Sequence, residues 1–196
     1  MAACAGAGVD VTVVEMLPKI LGPMDEELST ELQQAFEKRK VKFHLSTKVT
    51  AVRDGKVIAE HEGEQLEIPF DKLLVSVGRR AVTDGLGLET VGVELQRGAI
   101  VVDEHLETSV PGIYAVGDVN GVSMLAHTAA REGQVAVHHI TDHPDAMSYR
   151  AIPGIVYTDP EIASVGQTEQ ELRTAGVDYQ VHRVPMALPG RFAIEN

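Results

Sequence analysis

Residues 108–118 read Thr-Ser-Val-Pro-Gly-Ile-Tyr-Ala-Val-Gly-Asp, which is the most specific stretch of the sequence. The apolar run from Gly112 to Val116 predicts a buried strand that leads directly into Gly117 and Asp118. At the end of such a strand, a glycine has no side chain to obstruct a ligand, and a carboxylate can bind a polyhydroxyl chain. Gly-Asp is also a common turn, so the pair gains meaning only from its surroundings.

A helix is predicted from about Met124 to Ile140. It opens with Met124-Leu125-Ala126-His127, where free N–H groups and the positive end of the helix dipole would face an anionic or electron-rich ligand atom. Alone, His127 could be a surface residue of a helix. It is much less common to find a buried strand, a Gly-Asp pair and this helix start together in this order than to find any one of them alone. Together they predict a ligand site.

Upstream, the β-branched run from Val9 to Glu15 predicts a strand buried on both faces of a parallel sheet. A helix follows, with acidic residues 25–27 in its first turn and basic residues 38–40 at its end. The turn Asp54-Gly55 and the weaker turn Glu62-Gly63 separate further runs. These runs predict strands over Val41 to Leu45, Lys48 to Arg53, Lys56 to Glu60, Leu66 to Phe70 and, buried, Leu73 to Val77. An α/β fold laid out like the later half of a dinucleotide-binding domain is therefore expected.

Glu15 stands at the carboxyl end of the first predicted strand. An acidic side chain there accepts hydrogen bonds from the adenosine ribose and repels a 2′-phosphate, which selects NAD over NADP, although a strand-end Glu is more often solvated surface. Gly6-Ala7-Gly8 is not the glycine fingerprint, because no strand precedes it. We read Ala5 to Gly8 as a helix end with Gly8 as its terminator, and expect the phosphate cradle upstream of Met1.

The weakly patterned segment from Arg79 to Leu106 is predicted to be a surface crossing between domains. From Ser148 the pattern changes to short strands and a short helix from Thr168 to Thr174, stopped by Ala175-Gly176, which is typical of an α+β domain. The adjacent His138 and His139 are expected at a solvated helix end rather than at a metal, because neighbouring residues do not share a helix face.

Composition excludes several classes. The formal net charge of −12 over 196 residues argues against a protein that coats nucleic acid or anionic lipid. The single cysteine, Cys4, excludes a disulfide framework and a cysteine-rich metal site. We therefore expect no metal site, no nucleic-acid partner and no membrane partner, and a cytoplasmic location.

The run from Gly112 to Asp118, with residues 124–129 and Glu132-Gly133, closely resembles the second FAD-binding motif of the pyridine nucleotide-disulfide oxidoreductases. With residues 149–166, it looks most like the dihydrolipoamide dehydrogenase branch. The resemblance extends from Val9 to about Arg191. It implies an incomplete NAD-binding Rossmann-like domain over residues 1–78, a returning FAD-domain segment over 79–147 and the start of an α+β dimerisation domain over 148–196.

The cofactors that this resemblance implies are FAD and NAD. Gly117 and Asp118 would hold the ribitol of FAD. The flavin's pyrimidine edge would lie along Met124, Leu125, Ala126 and His127. For NAD, Glu15 would bind the adenosine ribose, Val49 would pack near the adenine, and Gly78 would let backbone approach the cofactor.

The implied reaction of the family branch is the oxidation of dihydrolipoamide by NAD⁺ through a cysteine pair and FAD. The implied partners are a second copy, in a homodimer, and the lipoyl domains of 2-oxo acid dehydrogenase or glycine cleavage complexes. No residue here matches the family's redox cysteine pair or its catalytic His-Glu pair, so no catalytic residue is assigned and the isolated chain is expected to be inert.

Two alternatives stay open at this stage. One is a related NAD(P)H-dependent disulfide reductase of the glutathione or mercuric type. Members that use NADPH are expected to place basic residues after the strand that ends in Glu15, where Met16-Leu17 offers none. The other is a noncatalytic module that binds a nucleotide or a partner subunit.

Overall fold

The computed structural model describes residues 5–186. They divide into two compact units: the first contains residues 5–51, 58–66 and 155–186, and the second contains residues 52–57 and 67–154. The strands are β1 Thr12–Val14, β2 Lys42–His44, β3 Thr47–Arg53, β4 Lys56–His61, β5 Glu64–Pro69, β6 Leu95–Gln96, β7 Ala99–Ile100, β8 Gly154–Val156 and β9 Ile162–Ser164. The helices are α1 Glu26–Lys38, α2 Leu88–Val91, α3 Ala126–Ile140 and α4 Glu169–Ala175, with a 3₁₀ helix at Gly117–Asn120.

The predicted strand-helix-strand unit is confirmed. β1 and β2 pair in parallel, with Thr12 opposite Lys42 and Val14 opposite His44, and α1 provides the crossover that a parallel pair requires. The side chain of Asp25 accepts a hydrogen bond from the N–H of Glu27 and caps the helix. β1 is only half-buried, so its predicted burial on both faces is wrong; in the described part of the chain it has a strand on one side only.

The core of the first unit forms on the apolar face of α1. Leu32 and Phe36 are fully buried and pack with Ile20, Val41 and Ile162. The four-residue spacing of Leu32 and Phe36 places both on one side of the helix, as the helical pattern predicts.

The two predicted turns of the β3-β4-β5 sheet are both present. Asp54 and Gly55 have φ values of 52° and 69°, and Glu62 and Gly63 have φ values of 51° and 85°. Two consecutive positive φ angles are required in the type I′ turn that matches strand twist, which is why Asp-Gly favours it.

The predicted buried strand from Leu73 to Val77 is wrong. These residues form no strand, and Leu74 and Val77 are 82% and 93% exposed. A parallel strand needs neighbours that accept its backbone hydrogen bonds, and none of the strands described here pairs with this segment. The apolar composition of the segment is typical of a buried strand, but composition does not show whether neighbouring strands are available for pairing.

The second unit has two buried clusters, one of which includes residues of α3. Leu106, Val135, Ala136 and Met147 form one buried cluster, and Val93, Ile100 and Ala115 form another. The prediction of a surface crossing for residues 79–106 is therefore wrong in its second half, which contributes side chains to both clusters.

The stretch from Gly112 to Val116 is not the predicted strand: Gly112 lies in a turn with a φ of 81°, and only a short extended segment from Tyr114 to Val116 follows. Glu107 and Tyr114 form one isolated antiparallel bridge, and Ala115 is buried while Val116 is 40% exposed. The N–H of Ala115 donates to the carbonyl of Leu106 at 3.0 Å. A segment that pairs at single points satisfies its backbone without a continuous ladder.

The ends of the helices follow local signals. Gly8, with a φ of 77°, ends the helical turn at Ala5, as predicted. Thr168 caps α4 in a capping box with Glu171, and Gly176 closes it with a φ of 66°.

Cys4 and residues 187–196, including Arg191, lie outside the described residues. Between residues 5 and 186 no helix is long and apolar enough to cross a membrane.

Asp145 holds the end of α3 to the segment that follows it. Arg131 donates to both carboxylate oxygens of Asp145 at 2.8 and 2.6 Å, and Nδ1 of His138 lies 2.7 Å from Oδ2. The hydrogen bonds from Arg131, and then from His138, hold the pKa of the Asp145 carboxyl far below its ordinary value. The carboxylate is therefore the charged centre of this network at neutral pH.

Asp145→Asn is expected to lower the Tm at pH 7, with the difference from wild type shrinking as the pH falls below about 4. A carboxyl whose folded-state pKa is depressed contributes stability above its unfolded pKa and loses it as the pH falls through the folded pKa. Thermal melts from pH 7 to pH 2 measure this, with the exposed neighbour Asp142→Asn as the control. A difference that stays constant over the whole range would contradict the prediction.

Candidate functional site

Asp118 lies in the 3₁₀ helix that follows the extended segment. Gly117 has a φ of 80°, and a Cβ added there would stand 3.3 Å from the Cβ of Ala129 on α3. The loop therefore passes so close to the helix that a larger residue at position 117 would be both strained and crowded. The Asp118 side chain remains 46% exposed, so its carboxylate is accessible.

Glu132 lies beneath this loop and is fully buried. Its Oε2 accepts hydrogen bonds from the N–H of Gly117 at 2.5 Å and from Nδ2 of Asn120 at 3.1 Å. Its Oε1 accepts from the hydroxyl of Tyr149 at 2.8 Å. Burial, together with the Glu132 carboxylate, raises the pKa of the Tyr149 phenol, so the phenol stays protonated and keeps donating.

The start of α3 presents free backbone donors. Its N-cap residue, Leu125, is extended and makes no side-chain capping hydrogen bond, which leaves the first N–H groups of the helix available to a ligand. His127 is exposed, and its Nε2 lies 3.0 Å from the carbonyl oxygen of Pro153. Thr128 is buried and accepts from Ser123 at 3.0 Å, which holds the approach to the helix.

Arg79 joins two of the predicted site segments. Its guanidinium pairs with the carboxylate of Asp118 and donates to the carbonyl of Met124 at 3.1 Å. Because Gly78 immediately precedes Arg79, the contact brings the segment that contains Gly78 beside Asp118 and the start of α3. Gly78 itself is exposed, with a φ of 119° and open space where a Cβ would stand.

Glu15 and Val49 lie in the first unit. Glu15 directly follows β1, its Oε1 accepts from the N–H of Leu17 at 2.8 Å, and its carbonyl accepts from the N–H of Thr47 at 2.9 Å. The end of β1 is thus adjacent to the start of β3, on which Val49 is 45% exposed. Both predicted NAD contacts are accessible, and their roles stay predictions.

Two residues of the site, Glu132 and Arg79, were given no role in it by the sequence reasoning. Glu132 could have been found as a carboxylate on a helix face shared with Thr128, Val135 and Ala136, all of which are buried. Arg79 had no comparable signal, since its partners lie 39 and 45 residues away.

No group of three or more His, Cys, Asp or Glu that could hold a metal ion occurs in the described part.

A family model described as pyridine nucleotide-disulphide oxidoreductase matches residues 1–133, and the dimerisation domain of the same family matches residues 152–196. Dihydrolipoyl dehydrogenase 2, mitochondrial, of Arabidopsis thaliana is 44% identical over 191 residues, which are 94% of this chain and 38% of that protein. The chain thus spans well under half the length of this relative.

Solved structures agree with the sequence matches. LpdA from Mycobacterium tuberculosis superposes with a TM-score of 0.83 at 29% identity, covering 99% of this chain and 43% of that one. The HOCl-induced flavoprotein disulfide reductase RclA from Escherichia coli superposes with a TM-score of 0.79 at 28% identity, covering 98% of this chain and 45% of that one.

Proposed function

The chain belongs to the pyridine nucleotide-disulphide oxidoreductase family, and from this premise we propose that it supplies part of the FAD and NAD sites of a dihydrolipoyl dehydrogenase. The reaction of that enzyme is dihydrolipoamide + NAD⁺ → lipoamide + NADH + H⁺. Two thiols are oxidised to a disulfide, the electron pair leaves as hydride on NAD⁺, and one proton is released. The relative from Arabidopsis thaliana, which carries this name, is 44% identical to the chain.

The observation that carries the proposal is the arrangement around Asp118. An accessible carboxylate on a loop fixed by Glu132 lies close in sequence to a helix start without a side-chain cap. A carboxylate suits the hydroxyls of a ribityl chain, and free N–H groups suit an electron-rich ring edge. The residues present therefore fit FAD, and Asp118 with residues 124–127 would hold it.

FAD, when bound, supplies the two-electron chemistry that links thiol oxidation to hydride transfer. The chain's own contribution is binding and electrostatics. Asp118 orients the ribityl chain through hydrogen bonds. The N-terminus of α3 would place its positive potential beside the flavin's pyrimidine edge and so would stabilise a more negatively charged flavin.

On the nucleotide side, Glu15 is proposed to bind the adenosine ribose of NAD. The N–H of Leu17 already holds Oε1 of this carboxylate at 2.8 Å, and the other oxygen would accept from the ribose hydroxyls. A carboxylate there repels a 2′-phosphate, so NAD is favoured over NADP. Val49 is proposed to pack near the adenine. Gly78 is proposed to let the backbone approach the cofactor closely.

The assembly is proposed to be a homodimer, which the match of residues 152–196 to a dimerisation domain supports. The domain limits proposed are residues 1–78, 79–147 and 148–196. Lipoyl domains of 2-oxo acid dehydrogenase or glycine cleavage complexes are the proposed partners, and the cytoplasm is the proposed compartment. The 196-residue chain alone is expected to be inert, since it matches neither the cysteine pair nor the His-Glu pair of the family.

The test uses the native full-length protein, meaning the protein expressed from its own gene with any residues that flank this sequence. It is expected to purify with bound flavin and to reduce NAD⁺ in the presence of dihydrolipoamide. Activity with glutathione disulfide and NADPH instead would favour a reductase of the glutathione type. Absence of flavin from the purified protein would overturn the proposed function.

Asp118→Ala in the native full-length protein is expected to weaken FAD binding by about tenfold to hundredfold, because hydrogen bonds to a charged group contribute about 1.5–3 kcal/mol. Titration of the flavin-stripped protein with FAD, followed by flavin fluorescence, measures the Kd. Asp84→Ala, at another exposed aspartate of the second unit, is the matched control and should leave the Kd unchanged. Equal affinities of Asp118→Ala and wild type would contradict the assignment of Asp118.

A further inference from the structure

We propose that Glu132 is the positioning residue of the flavin site: its buried carboxylate fixes the loop that carries Asp118, and Tyr149 fixes the carboxylate. The inference rests on the proposed function, because it concerns how the FAD-binding loop is held. Glu132 contacts the loop rather than the flavin.

Every contact of Glu132 is well defined. The residue is fully buried, and its two oxygens accept from a backbone N–H, a side-chain amide and a phenol at 2.5, 3.1 and 2.8 Å. Burying a carboxylate costs several kcal/mol unless hydrogen bonds replace its hydration. An apolar side chain at position 132 could fill the space, but it could not orient these three donors.

The hydrogen bond from Gly117 controls the direction of Asp118. Gly117 and Asp118 are consecutive, so a rotation of the loop at Gly117 redirects the Asp118 carboxylate. The N–H of Gly117 is bound to Glu132 at 2.5 Å, while Asn120, at the other end of the 3₁₀ helix, is bound to the same oxygen. Glu132 thereby anchors both ends of the loop at one point.

The alternative anchor on the loop is weaker. Arg79 pairs with Asp118, but the two side chains are 65% and 46% exposed, and exposed ion pairs contribute little to holding a geometry. The buried contacts of Glu132 are screened much less by solvent and salt. The orientation of Asp118 therefore depends mainly on Glu132.

Tyr149 extends this network beyond α3. It lies 17 residues from Glu132 in sequence and follows the buried Met147. Because the phenol remains protonated, it donates to Oε1 and keeps the carboxylate from rotating. This hydrogen bond ties Glu132 to the segment that leads into residue 152, where the match to the dimerisation domain begins.

The test is a double-mutant cycle on FAD affinity in the native full-length protein. Glu132→Gln keeps the size of the side chain but removes its negative charge and one of its two acceptor oxygens, which weakens the hydrogen bonds from Gly117, Asn120 and Tyr149, and we expect FAD binding to be about tenfold weaker. In the Asp118→Ala background the same change is expected to have little further effect, since Glu132 acts through Asp118. A purely structural role would give additive losses instead.

Two further variants keep the test decisive. Tyr149→Phe removes one donor and preserves shape, so FAD binding about threefold to fivefold weaker is expected even if Glu132→Gln fails to fold. Ser29→Ala removes a comparably buried hydrogen bond in the first unit, where Ser29 donates to the carbonyl of Ile20 at 2.6 Å. It should lower stability without changing the FAD Kd.

The outcomes separate the two proposals. If the wild-type protein binds no flavin, the proposed function fails. If wild type binds flavin while Glu132→Gln and Tyr149→Phe both match its Kd, or if the Glu132 and Asp118 losses add, the positioning role is overturned and the proposed function stands. Coupled losses at Glu132 and Asp118, with an unchanged Kd for Ser29→Ala, support it.

Discussion

Replacing Gly121 with alanine is expected to lower the free energy of unfolding by about 2–5 kcal/mol, combining left-handed backbone strain with overpacking. Gly121 ends the 3₁₀ helix that carries Asp118, with a φ of 70°. A Cβ added there would stand 2.7 Å from the Cβ of Ala99. Since Ala99 is on β7 and its Cβ cannot rotate away, the loop or the strand must shift.

The measurement is urea unfolding of the variant beside Gly112→Ala. Gly112 also has positive φ, 81°, but open space surrounds its Cβ position, so this control isolates the cost of backbone strain, about 1–2 kcal/mol. The excess loss at Gly121 over Gly112 reports the contact with Ala99. Equal losses in the two variants would show that this close approach does not exist.

The same substitution should also disturb the site. The N–H of Gly121 donates to the carbonyl of Asp118 at 3.2 Å, so a shift at position 121 moves the residue proposed to hold the ribityl chain. Weaker FAD binding is therefore expected to accompany the lost stability of Gly121→Ala, and not that of Gly112→Ala.

Phe36→Ala is expected to cost about 3–5 kcal/mol, the usual loss when a buried aromatic side chain is truncated and its surroundings collapse only in part. Phe36 is fully buried and packs in the cluster that contains Leu32, Val41 and Ile162. Because this cluster joins α1 to the residues on either side of it, the loss falls on the core of the first unit.

Chemical denaturation monitored by circular dichroism measures this effect. Gln34→Ala is the control on the same helix, at an exposed position, and should change the free energy of unfolding by no more than about 0.5 kcal/mol. A loss at Phe36 as small as that at Gln34 would mean that α1 does not pack as described.

Local signals were read correctly from the sequence. The acidic first turn and four-residue apolar spacing of α1, the Asp54-Gly55 turn and the Gly176 stop of α4 each involve residues close together in the chain. Such features are decided by backbone geometry within a few residues, so they depend little on the tertiary packing of the rest of the molecule. The parallel pairing of β1 and β2 followed because a helix of suitable length separates them.

Features that depend on contacts between residues far apart in the chain could not be predicted from the sequence. The run from Leu73 to Val77 has the composition of a buried strand, yet it is exposed and unpaired in the described part, because a strand exists only through its neighbours. Arg79 approaches Asp118 across 39 residues. Nothing in the amino-acid pattern around either residue specifies that meeting.

The sequence alone was enough to predict helices α1, α3 and α4, the two turns of the β3-β4-β5 sheet and the Gly117-Asp118 pair ahead of a helix start, since short-range backbone preferences and side-chain chemistry reside in neighbouring residues. Only the tertiary structure decided that Glu132 would be the shared acceptor for Gly117, Asn120 and Tyr149. The physical reason is that a buried carboxylate takes whichever donors the packing brings within reach, and packing depends on residues far apart in the chain.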